Sequence, residues 1–180
     1  MSEVTTWYLE MLSPSALRAV RDPGGLHVSE CRVTLYQFNR FLYQLVGAAW
    51  DWTDRLDWSD RQWQAYTDDN RLRTWVAYVQ GCPAGYFELL QQAGGDTEIK
   101  YFGLVEQFIG RGFGGFLLSQ ALGAAWAWPG TDRVWVHTCS LDHPGALHNY
   151  QARGMTLYRT ETETTLDCSG PNGQSEEEGI

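Results

Sequence analysis

The 180-residue sequence predicts one α/β (α+β) domain with a mixed central sheet of about six to seven strands. Three observations predict it. Arg73–Val79, Ala84–Leu90 and Glu98–Leu104 are rich in β-branched, aromatic and bulky apolar residues and are separated by short turns, which makes a meander. A glycine-rich turn, with Gly110, Gly112, Gly114 and Gly115, then opens onto a helical pattern. Arg133–Thr138 follows as a buried-type strand. Because a helix connects it to Glu98–Leu104, those two strands should lie parallel.

Taken in order, Thr5–Met11 reads as a first strand. Ser15–Val20, after Ser13-Pro14, is either a short helix or a loop, and Asp22-Pro-Gly-Gly25 is a turn. Cys31–Leu35 is a second short extended piece. Phe38, Phe41, Leu42, Leu45 and Val46 have helical spacing, which predicts an amphipathic helix over Gln37–Val46, stopped by Gly47. Between Trp50 and Trp63 the chain is aromatic and acidic together. Its tryptophans either pack the core, with Asp51, Asp54 and Asp57 as caps or a solvated face, or form an acceptor wall of rings and carboxylates that draws in an amine. Phe113, Leu117, Leu118, Ala121, Leu122 and Ala124 predict the helix after the glycines, ended at Trp128-Pro-Gly-Thr131. Leu141–Tyr150 begins another helix with Asp142 as its N-cap, and Thr156–Thr164 is a last strand. The domain is expected over 1–167. Cys168–Ile180, rich in Gly, Ser and Glu, is expected to be a disordered tail.

Composition narrows the function. The formal charge is -9 and no Lys/Arg cluster occurs, so a nucleic-acid partner is not expected. An acidic surface favours cationic small molecules or basic peptide ends. Cys31, Cys82, Cys139 and Cys168 form no C-x-x-C pair and stand at no zinc-ligand spacing, so reduced thiols, no metal and a cytoplasmic setting are expected. Met1-Ser-Glu-Val carries no secretory signature, and no apolar run reaches the roughly 18 residues of a membrane span. Monomer and homodimer both stay open.

The glycines bear on chemistry. Gly110, Gly112 and Gly115 satisfy G-x-G-x-x-G, and the helix after them opens with unpaired N–H groups at its positive end, which suits phosphate or pyrophosphate. No Gly-Lys-Ser/Thr follows, so this is not a phosphate loop. A dinucleotide-binding fold is a poor match, because Val105–Ile109 separate the strand from the first glycine. Cofactor titration would test that class.

The order of these pieces resembles the GNAT superfamily of acyl-CoA-dependent N-acetyltransferases. Its motif is a strand with an apolar end, then Arg/Gln-x-x-Gly-x-Gly/Ala and a helix with a Leu pair. Leu104, Gly112, Gly114 and Leu117-Leu118 match it, with Ile109 at the Arg/Gln position. A second register, Gln107-x-x-Gly110-x-Gly112, restores the Gln but misplaces the helix. After the next strand, Ala146, Tyr150 and Gly154 keep the family's Asn-x-x-Ala-x-x-Leu-Tyr-x-x-x-Gly-Phe pattern, with His143, Asn149 and Met155 replacing Asn, Leu and Phe. The resemblance spans about Thr74–Thr164. It implies a GNAT-like fold with helices on both faces and with the family's fourth and fifth strands, here Glu98–Leu104 and Arg133–Thr138, parallel and splayed. It implies acetyl-CoA as cosubstrate and direct transfer, in a ternary complex, to a primary amine, either a small cationic amine or a peptide or protein amine. The coenzyme would meet Leu104, Val105, Ile109, Gly110, Arg111, Gly112, Phe113, Gly114, Gly115, His143 and Ala146. Tyr150 would be the acid for the departing thiolate and Glu98 the base, through a water, with Glu88 or water alone as rivals. A strand-end N–H at Leu104 or a neighbour, beside a bulge, would serve the oxyanion. His137, in a buried-type strand, and His143, at a helix start, are expected to be structural. The alternative is a non-catalytic acyl-CoA-binding regulatory module on the same fold.

Overall fold

The computed structural model describes residues 2–165. The expected tail, Cys168–Ile180, lies outside the described residues. In chain order the strands are β1 (Ser2–Met11), β2 (His27–Cys31), β3 (Leu72–Val79), β4 (Cys82–Gln91), β5 (Asp96–Leu104), β6 (Arg133–Cys139) and β7 (Thr156–Thr165). The helices are α1 (Tyr36–Gly47), α2 (Asp60–Thr67), α3 (Phe113–Ala127) and α4 (Ala146–Ala152). The strands form one mixed sheet in the order β2-β3-β4-β5-β6-β1-β7.

The meander is as its turns demand. β3 pairs antiparallel with β4, and β4 with β5. β5 and β6 are parallel, but they pair only at Asp96–Arg133, Thr97–Val134 and Glu98–Trp135. Beyond Glu98 the two strands part. A register shift on the other side of β5, where Glu88 faces Tyr101 but Leu89 faces Ile99, leaves Lys100 as the extra residue of a bulge. The bulge therefore lies at Lys100, near where the strands part, and not at Leu104 as the resemblance implied.

The sheet is covered on both faces. α1 packs on β4 and β5, over a small core of Leu42, Val46, Val76 and Tyr86. α3 packs on β4, β5 and β6 from the other side, over the main core, which includes Leu117, Leu118, Leu122, Phe87, Leu89 and Val136. α3 is apolar nearly all round, and the segment after β1 crosses it on the side away from the sheet, with the Val20 N–H donating to Ser119 Oγ.

Two expectations are corrected, and two features are added that the sequence did not predict. The second extended piece is His27–Cys31, not Cys31–Leu35, because it is these residues that pair with Thr74–Tyr78, and Leu35 instead caps α1. An unexpected helix, α2, follows Ser59. The Ser59 hydroxyl accepts from the Gln62 N–H while the Gln62 side chain accepts from the Ser59 N–H, a capping box. The last helix starts at Ala146, not Leu141. Asp142 does not cap it; its carboxylate accepts from Thr138 Oγ1 at 2.6 Å and from the Cys139 N–H at 2.9 Å, closing the end of β6. Finally, β1 is threaded between β6 and β7, antiparallel to both, so the last two strands in sequence do not pair with each other.

After β1 the chain makes a 3₁₀ turn at Pro14–Ala16 and then crosses the first turns of α3. The Arg18 N–H donates to the Arg153 carbonyl and the Val20 N–H to Ser119 Oγ, both at 2.9 Å. Gly154 lies under this crossing. Its φ is +102°, and a Cβ there would run into the Ala16 carbonyl oxygen. Gly154→Ala is expected to cost on the order of 2–4 kcal/mol, read as a lowered urea midpoint with an unchanged slope.

Candidate active site

Where β5 and β6 part, a cavity of about 540 Å3 opens between them. Ile99–Leu104 form one wall and Val136–Cys139 the other. The β5 backbone groups that face β6 have no ladder partner there after Glu98, so polar main chain is presented to the slot. The glycine turn and the start of α3 line it too, and so do Trp50–Asp54 from the segment between α1 and α2.

The glycine turn is shaped by conformation. Gly110 and Gly112 have φ of +81° and +80°, values that favour glycine. Gly112 is the N-cap of α3 and offers no side-chain cap, so the first-turn amides are left to another acceptor. A Cβ on Gly110 would meet nothing within 4 Å, and the atoms nearest a Cβ on Gly114 would be Asn149 Nδ2 at 3.7 Å and Leu104 Cδ1 at 3.8 Å. This is an open, amide-lined cradle that fits a pyrophosphate.

Of the residues expected to meet a coenzyme, Leu104, Ile109, Gly110 and Gly112 line the cavity from the strand end and the turn. Gly114, Gly115, His143 and Ala146 line it from α3 and from the approach to α4. Val105, Arg111 and Phe113 are not in its wall. Val105 donates its N–H to the Ala84 carbonyl at 2.8 Å. Phe113 is buried in the main core, and the Arg111 guanidinium lies over the Phe108 ring.

Tyr150 lines the cavity and is 5% exposed, with its ring 6.0 Å from that of Phe102. Burial, with the Asp142 carboxylate adding to it, pushes the phenol well above the ordinary tyrosine value, so it holds its proton through the neutral range. Glu98 is not in the cavity wall. It occupies the last paired position of β5, 2% exposed, where Gln92 Nε2 donates to one oxygen at 2.9 Å and the Lys100 ammonium lies 3.3 Å from the other. Lys100 itself lines the cavity. Glu88 lies on the α1 side of the sheet. Asn39 Nδ2 donates to it at 2.7 Å, Tyr66 OH donates to its second oxygen and Thr74 Oγ1 is at 3.5 Å. Burial raises its carboxyl above the usual range.

His137, expected to be structural, lines the cavity, as does His143, which was expected both to meet the coenzyme and to hold the helix start. His137 is exposed, because on β6 it is Val134, Val136 and Thr138 that point into the core. His143 packs edge-on against Trp50, with ring centres 5.1 Å apart, and its Nδ1 accepts from the Gly145 N–H at 2.9 Å. The neutral ring therefore carries its proton on Nε2. Strand alternation counted from Val134 would have exposed His137.

The aromatic, acidic segment is divided between the cavity and the core. Trp50 and Trp52 line the cavity, whereas Trp58 packs on Trp63, which is 1% exposed. Asp54 sits at the cavity edge, accepting from Tyr43 OH at 2.7 Å and Tyr101 OH at 3.0 Å.

Burial pushes the phenols of Tyr43, Tyr66, Tyr86, Tyr101 and Tyr150 above the ordinary tyrosine value of about 10. The unfolded chain loses these protons first. Stability is therefore unaffected by them below about pH 10 and falls as pH rises further. Urea midpoints at about pH 9 and pH 11 check this, with the lower midpoint expected at the higher pH.

Among the described residues no helix is long and apolar enough to cross a membrane, and no three His, Cys, Asp or Glu side chains converge to hold a metal.

Residues 34–155 match the model of the acetyltransferase (GNAT) family. A search of curated proteins finds no match. Among solved structures, the chain is similar to a GCN5-related N-acetyltransferase from Sphaerobacter thermophilus, with TM-score 0.69 and 20% identity over 89% of this chain and 50% of that one. It is similar to a GCN5-related N-acetyltransferase from Kribbella flavida, with TM-score 0.62 and 18% identity over 90% and 56%. An aminoglycoside acetyltransferase from an uncultured soil metagenomic sample, in complex with trehalose, gives TM-score 0.59 and 16% identity over 72% and 87%. At such identities the likeness is one of fold. The chain spans about half the length of the first two.

Proposed function

This chain belongs to the GNAT acetyltransferase family, and from that premise we propose that it moves an acetyl group from acetyl-CoA to a primary amine by direct attack in a ternary complex. The observation that carries this reading is the parting of β5 and β6 into a slot that runs to the uncapped start of α3.

The cosubstrate supplies an activated thioester. The N–H groups from Ile109 to Gly114 take its pyrophosphate, and the slot between Ile99–Leu104 and Val136–Cys139 takes the pantetheine arm. The acceptor enters beside Trp50–Asp54. An alkylammonium has a pKa of about 10.4, so it must lose a proton before its lone pair can attack. Glu98, at the apex where the strands part, takes that proton through a water, with Lys100 joining it to the cavity. Attack forms the N–C bond. Unpaired β5 main-chain N–H groups near the bulge hold the oxyanion. As the C–S bond breaks, Tyr150 gives its proton to the thiolate, a task suited to a phenol that burial keeps protonated. The acidic, ring-lined acceptor end favours a cationic amine, whether small or at a peptide or protein surface.

Two measurements test the reading. Coenzyme A should bind saturably by calorimetry, and a panel of amines should release free thiol from acetyl-CoA, with cationic members fastest. Absence of coenzyme binding overturns the reading.

A further inference from the structure

Arg55 is the least ordinary side chain in the molecule. It is 6% exposed, and its guanidinium carbon lies 4.0 Å from the centre of the Tyr66 ring, 4.2 Å from that of Trp58 and 4.9 Å from that of Tyr101. Three aromatic faces around one cation make a cage. The cage does not suit the arginine that fills it. Nε and Nη1 are buried and donate to no acceptor among the described residues, and Asp54 Oδ2 is 3.6 Å from Nε, too far for a hydrogen bond. The buried carboxylate behind the cage, Glu88, is engaged with Asn39, Tyr66 and Thr74 instead. A buried guanidinium that serves only to hold a fold normally has its N–H groups satisfied.

Two of the three rings come from elements other than the segment that carries Arg55, and the third, Trp58, stands on that same segment. Tyr66 is on α2, Tyr101 on β5 and Glu88 on β4. Arg55 is on the segment 48–59, which has no helix or strand and holds Asp51 at φ +50°. Tyr101 and Asp54 face both the cage and the cavity. A group leaving the cage would therefore open it to the acceptor end of the slot.

We infer that this cage is the cation pocket of the acceptor site, and that Arg55 fills it as an internal stand-in for a guanidinium or ammonium group carried by the acceptor. The acceptor class is then an amine with a second, cationic group. The cation displaces Arg55, while the amine stays in the slot. The inference rests on the acetyl-transfer reading only for the location of the reacting amine.

Hydrogen–deuterium exchange on the full chain tests it, with agmatine as the probe and butylamine, which lacks the guanidinium, as the control. Agmatine should speed exchange of the amides of 48–58 about tenfold in a saturable way, and butylamine should not. In Arg55→Ala the internal competitor is gone, so agmatine should bind by calorimetry about tenfold more tightly than to the wild type. Unchanged or slowed exchange over 48–58 overturns the inference. So does a folded Arg55→Ala, judged by its thermal transition, that binds agmatine no more tightly. Should that variant not fold, the wild-type exchange measurement decides alone. Coenzyme A binding in the same samples separates the two readings. Coenzyme binding with no agmatine effect sinks only the cage, and the reverse sinks only acetyl transfer.

Discussion

Tyr150→Phe is expected to lower kcat about 10²–10⁴-fold while leaving coenzyme A affinity within a few-fold of the wild type. The substitution removes one oxygen from a residue whose ring stays packed near Phe102 in the cavity wall. No protein partner holds that hydroxyl among the described hydrogen bonds, so its loss should not disturb the fold. A thiolate leaving group then departs without a proton donor, and the cost falls on the chemical step. Glu98→Gln should act on the other half of the reaction, lowering kcat/KM about 10²–10⁴-fold while coenzyme still binds. If neither change alters turnover and coenzyme still binds, the acid and base are misassigned. A chain that binds coenzyme and has no turnover to lose is instead the regulatory module.

Glu88→Ala should be the most destabilising substitution on the α1 side of the sheet, by about 3–5 kcal/mol. Glu88 is 1% exposed, and its oxygens accept from Asn39 on α1, Tyr66 on α2 and Thr74 on β3. Removing it orphans buried donors on three elements at once. Glu88→Gln keeps the volume and one carbonyl acceptor and should cost less. Urea unfolding of the two variants gives the comparison, and equal midpoints for wild type and Glu88→Ala would show that the network does not hold α1 and α2 to the sheet.

Much of this was legible in the sequence because it is local. The meander follows from β-rich runs separated by short turns. The parallel pair follows from the helix between them, and the cradle from Gly110, Gly112 and Gly114 ahead of an apolar helix. Tyr150 could be set in the cavity wall because Ala146, Tyr150 and Gly154 resemble the family pattern that follows the strand. What was missed depends on long-range partners. Thr5–Met11 reads as a strand, but nothing in it tells that it lies between β6 and β7, since pairing over more than a hundred residues leaves no local mark. The apolar run around His137 looks buried on both faces, whereas β6 buries only the face of Val134, Val136 and Thr138. The capping box of α2 is present in the sequence at Ser59 and Gln62, but it sits in a stretch whose tryptophans and aspartates show no helical apolar spacing. The caged arginine could not be foreseen, because its walls come from α2, β5 and a loop.

A crystal structure of the protein with coenzyme A bears most directly on the central claim. The pyrophosphate should lie within hydrogen-bond distance of main-chain amides between Ile109 and Gly115, with the pantetheine arm running between Ile99–Leu104 and Val136–Cys139 toward Tyr150. Coenzyme bound elsewhere, with β5 and β6 closed on each other by their side chains, would contradict it.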